Sequence, residues 1–200
     1  MHMRTSTRLT AFSLLLFLFL FQSNGYGQEN AKTGEVRFSA DTQIERDSGV
    51  WIDGKYVGYV KELKGNRKVL LAAGEHEISI RQAGYKDFTK KIVVEPGQAQ
   101  TVEFAMQENT KMTYPGGNAA ELRLDISPKR AAVFVDEGYM GHGGDFSGRF
   151  HSMLVSPGKH RLKITLDGYR TYDMEIEAVA SNKSRMKIVL EMGADAPVAQ

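Results

Sequence analysis

Histidine is the side chain best suited to proton transfer and zinc ligation near neutral pH, and the chain has five. His142 and His151 bracket Asp145 in a segment that also holds Gly141, Gly143, Gly144 and Gly148. Two imidazoles and a carboxylate could hold zinc, which would make this loop the centre of a small metal-dependent hydrolase. The spacing matches no strong zinc signature, however, and a loop of this composition is otherwise simply mobile. His76 and His160 stand at the same place in two similar stretches, in phase with Ile78 and Ile80 and with Leu162 and Ile164. A histidine that opens a strand with its ring hydrogen-bonded locally accounts for both without chemistry. The sequence has no Ser-His-Asp order, His-Glu-x-x-His, phosphate-binding glycine loop or dinucleotide fingerprint. The expectation is a non-enzyme: no catalytic residue, no cofactor and no metal.

What positions these residues is a duplication. Val50-Trp51-Ile52-Asp53-Gly54-Lys55-Tyr56-Val57-Gly58 returns as Val133-Phe134-Val135-Asp136-Glu137-Gly138-Tyr139-Met140-Gly141 at an offset of 83 positions. At an offset of 84, Gly74 and His76 return as Gly158 and His160, and Gly84-Tyr85 as Gly168-Tyr169. A unit repeated in this way is a small folding module used in tandem. An active site, by contrast, usually gathers unlike residues at one place.

Residues 1–27 read as an export signal. Arg4 and Arg8 are followed by an apolar run from Ala11 to Phe21, and small residues at Gly25 and Gly27 suit cleavage after Gly27. A helix of that run would span about 16 Å, roughly half of a hydrocarbon core, so retention as an anchor is the alternative. Without the signal the 26 basic residues lose Arg4 and Arg8, leaving 24 against 24 acidic ones. That balance argues against a nucleic-acid partner. No later run is long enough to span a membrane, so no span is expected in the mature chain. The chain has no cysteine, which excludes disulfides and leaves packing alone to hold an exported protein together. The expected location is the periplasm, cell surface or extracellular space.

Strict alternation marks the strands. Leu162, Ile164 and Leu166 alternate with Arg161, Lys163 and Thr165; Tyr172, Met174, Ile176 and Ala178 alternate with Asp173, Glu175 and Glu177. Leu122/Leu124/Ile126 and Met186/Ile188/Leu190 behave alike, as do Val36/Phe38, Ile92/Val94 and Val102/Phe104 in the first unit. No stretch beyond the signal shows helical periodicity. Asp53-Gly54 predicts a hairpin; the shift of glycine to Gly138 in the second unit predicts a different turn type or a bulge. The fold expected is all-β: two small antiparallel β-sandwiches, modules 34–106 and 120–192. A linker at 107–119 joins them, and a loose tail at 193–200 ends the chain.

These motifs resemble the PEGA domain family, in two tandem copies. The second copy carries Pro128, Ala131, Val133, Val135, Asp136, Gly141, Gly158, His160, Gly168 and Tyr169. The first carries Val50, Ile52, Asp53, Gly54, Gly58, Gly74, His76, Gly84, Tyr85, Pro96 and Gly97, without the leading Pro-x-x-Ala. The resemblance implies a non-enzymatic, Ig-like β module of envelope and surface proteins.

Two sets of aromatics remain. At Gly84-Tyr85 and Gly168-Tyr169 the glycine is expected to make the turn while the tyrosine ring folds back into the core. Trp51 and its counterpart Phe134 lie out of phase with the core positions and are expected to face outward. With Tyr56, Tyr59 and Tyr139 they form a candidate interaction surface, unless that face packs on the linker or the sister module. The functional expectation is a protein that binds or spaces envelope components through sheet edges and these aromatics, its partner an envelope protein or polysaccharide. The alternative is a carbohydrate- or peptidoglycan-binding module that stacks sugars on the rings.

Overall fold

A computed structural model of the chain describes residues 32–111, 115–148 and 151–193. The expected signal and the tail beyond Gly193 lie outside these residues. The first module comprises β1 (Thr33–Ser39), α1 (Gln43–Asp47), β2 (Gly49–Ile52), β3 (Lys55–Tyr59), β4 (Val69–Ala72), β5 (Gly74–Arg81), β6 (Phe88–Val94) and β7 (Ala99–Glu103). The second comprises β8 (Ala120–Ser127), β9 (Ala132–Val135), β10 (Gly138–His142), β11 (Met153–Val155), β12 (Gly158–Thr165), β13 (Tyr172–Ala178) and β14 (Lys183–Val189).

Each module is a two-sheet sandwich, and the two match strand for strand. The first has sheets β3-β2-β5-β6 and β4-β1-β7; the second has β10-β9-β12-β13 and β11-β8-β14. Pairing is antiparallel with one exception per module, since β1 runs parallel to β7 and β8 parallel to β14. Alternation places the cores as expected. Val36, Val50, Ile78, Ile80 and Val102 are buried between the sheets of the first module, and Leu124, Ile126, Val133, Leu162 and Ile164 between those of the second.

Among the described residues the one α-helix lies where no periodicity announced it. α1 is a single turn and a half, too short for a 3.6-residue pattern to register. Its signal is local: Thr42 accepts from the Glu45 amide at 3.2 Å, and the Glu45 carboxylate accepts from the Thr42 amide at 2.9 Å, a capping box. The helix lies in the longer β1–β2 connection, residues 40–48. The matching β8–β9 connection, residues 128–131, is a tight turn in which the Pro128 carbonyl accepts from the Ala131 amide at 3.1 Å. That difference explains why only the second copy carries Pro-x-x-Ala.

The two hairpin turns do not differ as expected. Asp53 and Gly54 have φ of 50° and 77°, Asp136 and Glu137 of 50° and 66°. Both are two-residue loops with positive φ at both positions, the backbone of a type I′ turn. Gly138 begins β10 opposite Val135, so the register of the repeat is kept and Glu137 carries the strain that Gly54 avoids. Glu137→Gly is expected to stabilise the protein by about 1 kcal/mol, read as a raised denaturation midpoint at unchanged slope. Its ion contacts to Arg161 and Lys163, at 3.6 and 3.8 Å, are exposed and offset little of that gain.

Candidate interface between the modules and a duplicated histidine–aspartate latch

Trp51 does point away from its own core, because Val50 and Ile52 on either side of it point in. It is not exposed. Trp51, Tyr56, Phe134 and Tyr139 are all buried, Trp51 at 5% exposure, and the first two belong to the same apolar cluster as the core of the second module. The candidate interaction surface is therefore covered, and what covers it is the sister module. The physical reason is area: large rings on the outward face of a hairpin lose contact with water most cheaply against a matching apolar face.

The rings meet their own counterparts. Trp51 lies 6.1 Å from Phe134, edge-on, and 4.9 Å from Tyr139. Tyr59 stacks on His142, its equivalent at the 83-residue offset, at 4.1 Å. The Tyr56 hydroxyl donates to the Arg130 carbonyl at 3.0 Å. Burial pushes the Tyr56 and Tyr139 phenols well above their ordinary range, so both stay neutral at any physiological pH. A repeat whose like surfaces touch is packed as an isologous pair.

Sequence reasoning missed the residues that complete this interface. Gly49 has no room for a side chain, since a Cβ there would lie 2.8 Å from the Tyr139 hydroxyl and 2.9 Å from the Trp51 ring. Arg81 sits over Trp51 at 4.9 Å and Lys163 over Phe134 at 5.9 Å. These cations line a cleft of about 530 Å³ between the modules. A sugar stacking there would have to displace them, so the geometry does not favour the carbohydrate reading.

His76 and His160 form the same latch in each copy. Asp53 Oδ1 accepts from the Glu77 amide at 2.9 Å, while Asp53 Oδ2 lies 2.7 Å from His76 Nδ1. His76 Nε2 lies 2.9 Å from the Ala72 carbonyl. In the second copy Asp136 Oδ1 accepts from the Arg161 amide at 2.9 Å, and Oδ2 lies 2.6 Å from His160 Nδ1. His160 Nε2 lies 2.8 Å from the Ser156 carbonyl. Both nitrogens of each ring face acceptors, an arrangement that favours the doubly protonated cation. The hydrogen bonds that His76 and His160 donate to Asp53 and Asp136 accordingly raise the histidine pKa values. Asp53 is lowered chiefly by the Glu77 amide and then by His76; Asp136 is lowered chiefly by His160 and then by the Arg161 amide. The positive φ of Gly74 and Gly158, 137° and 134°, lets the chain turn into the strand that carries each histidine.

The first part of the second module's loop, residues 141–146, is packed. Gly143 donates to the Ala131 carbonyl at 2.8 Å and Gly144 to the Lys129 carbonyl at 2.7 Å, and a Cβ at Gly143 would lie 2.8 Å from Ile126. Gly143, like Gly141 beside it, serves close approach. The His142 ring is buried against Tyr59, with Asp145 Oδ2 3.3 Å from Nδ1; His151 is exposed. Among the described residues no group of three or more His, Cys, Asp or Glu gathers as a metal site. The loops after β3 and β10 share one plan: Glu62 lies over Gly58 (φ 144°) and Asp145 over Gly141 (φ 137°), each 2.6 Å from where a Cβ would stand.

Gly84 and Gly168 make the expected turns, with φ of 83° and 80°. Tyr85 and Tyr169 are only partly buried, and their backbones bridge to Glu108 and Met192. The Tyr169 ring packs on the core of its module. Tyr169→Ala is therefore expected to cost about 1–2 kcal/mol, short of a full core truncation, measured by chemical denaturation.

The class defined by this geometry is a tandem of two matched β-sandwiches. Residues 43–110, in the first module, match the PEGA domain. No curated protein matches the chain. Among solved structures it is similar to the Bacillus anthracis TIE protein, with 12% identity, a TM-score of 0.25, and coverage of 80% of this chain and 33% of that one. It is also similar to GBS52, the minor pilin of the gram-positive pathogen Streptococcus agalactiae, with 9% identity, a TM-score of 0.23, and coverage of 84% and 99%. The chain thus spans about a third of the first of these, and overlap this slight transfers no role.

Proposed function

We propose that the chain is an exported, non-catalytic pair of PEGA-like β-sandwiches, the second copy at residues 120–192, that binds or spaces components of the cell envelope through its sheet edges. One observation carries this reading. Leu70 and Leu154, which match at the 84-residue offset, are large apolar side chains exposed to water, and each lies on a strand at the edge of its sheet, β4 and β11. Edge strands offer unpaired backbone groups to an extended partner, and apolar side chains beside them add affinity. The aromatics have no part in this, because they hold the two modules together. Among the described residues no helix is long and apolar enough to cross a membrane.

Photo-crosslinking residues placed at Leu70 and Leu154 in the producing cell test the reading. An envelope protein or polysaccharide captured at either position supports it. Capture of nothing at both contradicts it. Stoichiometric zinc lost in a His142→Ala/His151→Ala variant would instead revive the hydrolase.

A further inference from the structure

The two modules differ at one side of the sandwich. In the first, that side is shut. Gly34 of β1 lets Val94 of β6 approach so closely that a Cβ at Gly34 would lie 2.7 Å from Val94 Cγ1. Gln100 of β7 reaches across and donates to the Val93 carbonyl at 3.1 Å, capping a free acceptor of edge strand β6. Lys90 stands at a core-phase position of that edge, a charge that discourages pairing with another strand.

Each of these devices is missing from the second module. Ala120, Ala178 and Ser184 replace Gly34, Val94 and Gln100, and Met174 replaces Lys90. The result is a cleft of about 250 Å³ between β13 and β14, floored by Leu122, Val155, Ile176 and Met186. Met174 and Val179 stand at its mouth, 43% and 56% exposed. The cleft is flanked by two free edges, β13 and β14.

Their outward faces carry opposite charge. β13 presents Asp173, Glu175 and Glu177 with no base; β14 presents Lys183, Arg185 and Lys187 with no acid. The neighbours continue the pattern: Lys159 and Arg161 of β12 pair with Glu175 and Asp173, and Glu121 and Asp125 of β8 with Lys183 and Arg185. One sheet thus ends on an acidic strand beside a basic one and the other on a basic strand beside a mostly acidic one, in which Arg123 stands opposite Arg185. Joining β13 to β13 of another molecule would set acids against acids, which is destabilising. Joining β13 to β14 sets acids against bases.

We propose that this side is the dimer surface of the protein: β13 of each copy joins β14 of a second copy of the same chain. Each molecule supplies one acidic and one basic edge, so two copies satisfy each other and the assembly closes. Met174, Val179 and the cleft floor become the dry centre between the paired edges. This inference stands apart from the envelope role, since it concerns a different edge pair and is read on purified protein.

Sedimentation equilibrium tests it. The wild type is expected to show a monomer–dimer equilibrium that weakens with added NaCl. Glu175→Lys/Glu177→Lys and Arg185→Glu/Lys187→Glu are each expected to weaken association at least about tenfold. An equimolar mixture of the two variants should restore it, because both junctions of the mixed dimer are again complementary. Met174→Lys, which copies Lys90 of the first module at an exposed site, should also abolish dimers while its circular dichroism spectrum stays that of the wild type. A wild type that stays monomeric at all concentrations, a dimer indifferent to both reversals, or folded variants that fail to associate on mixing would overturn the proposal.

Discussion

Trp51→Ala is expected to destabilise the protein by about 3–5 kcal/mol, the range for truncating a buried aromatic in a packed core. The ring is 5% exposed and lies 5.0 Å from Tyr56, 4.9 Å from Tyr139 and 6.1 Å from Phe134. It is shared by both modules, so its loss leaves a cavity that neither sandwich can close alone. A domain of ordinary stability has only about 5–15 kcal/mol in total, and the midpoint of denaturation should fall accordingly. If Trp51 served instead as an open ligand platform, its removal would leave the melt near wild type. Thermal and urea denaturation of the full chain distinguish the two.

His76→Gln/His160→Gln is expected to have the second largest effect, about 1.5–3 kcal/mol for each charged hydrogen-bond set removed. Its pH dependence is distinctive. Both histidine pKa values are raised in the folded state, so their contribution is fully present below the unfolded value near 6.5 and is lost as pH rises through the folded values. Asp53 and Asp136 are lowered, so theirs is present above about pH 4 and is lost as pH falls through the folded values. The latches therefore contribute most in mildly acid solution, between those limits. Melting temperature against pH should show the wild type losing stability from neutral to alkaline pH, with the double variant much flatter there. Parallel curves for the two proteins would show that the rings carry no proton on folding.

Much of this was legible in the residues. Alternation alone placed Leu162 and Ile164 inward with Arg161 and Lys163 out, because a period of two admits only two faces. The repeat of Gly74-x-His76 as Gly158-x-His160 marked the histidines as structural before their partners were visible. The partners were not readable, because Asp53 and His76 are brought together by the register that pairs Ile52 with Ile78. Alternation also showed Trp51 facing out but could not say what lay beyond it. The clue was that Phe134 and Tyr139 repeat the same bulk at the same outward positions, as two like faces meeting require. Glycine misled in the loop after β10, where Gly143 serves close contact with Ile126. Composition does not separate that use from flexibility. The Asp136-Glu137 turn misled likewise, since the fold imposes positive φ on a residue that does not favour it.

A single fluorophore reports on the central feature, two sibling sheets held face to face by their outward rings. Trp51 is the only tryptophan, so its emission and acrylamide quenching read that contact directly. The wild type should emit at short wavelength and resist quenching, while Tyr139→Ala, a change wholly within the second module, should shift emission to the red and admit the quencher. Freely quenched, red emission from the wild type, or quenching indifferent to Tyr139, would show that the modules do not meet there.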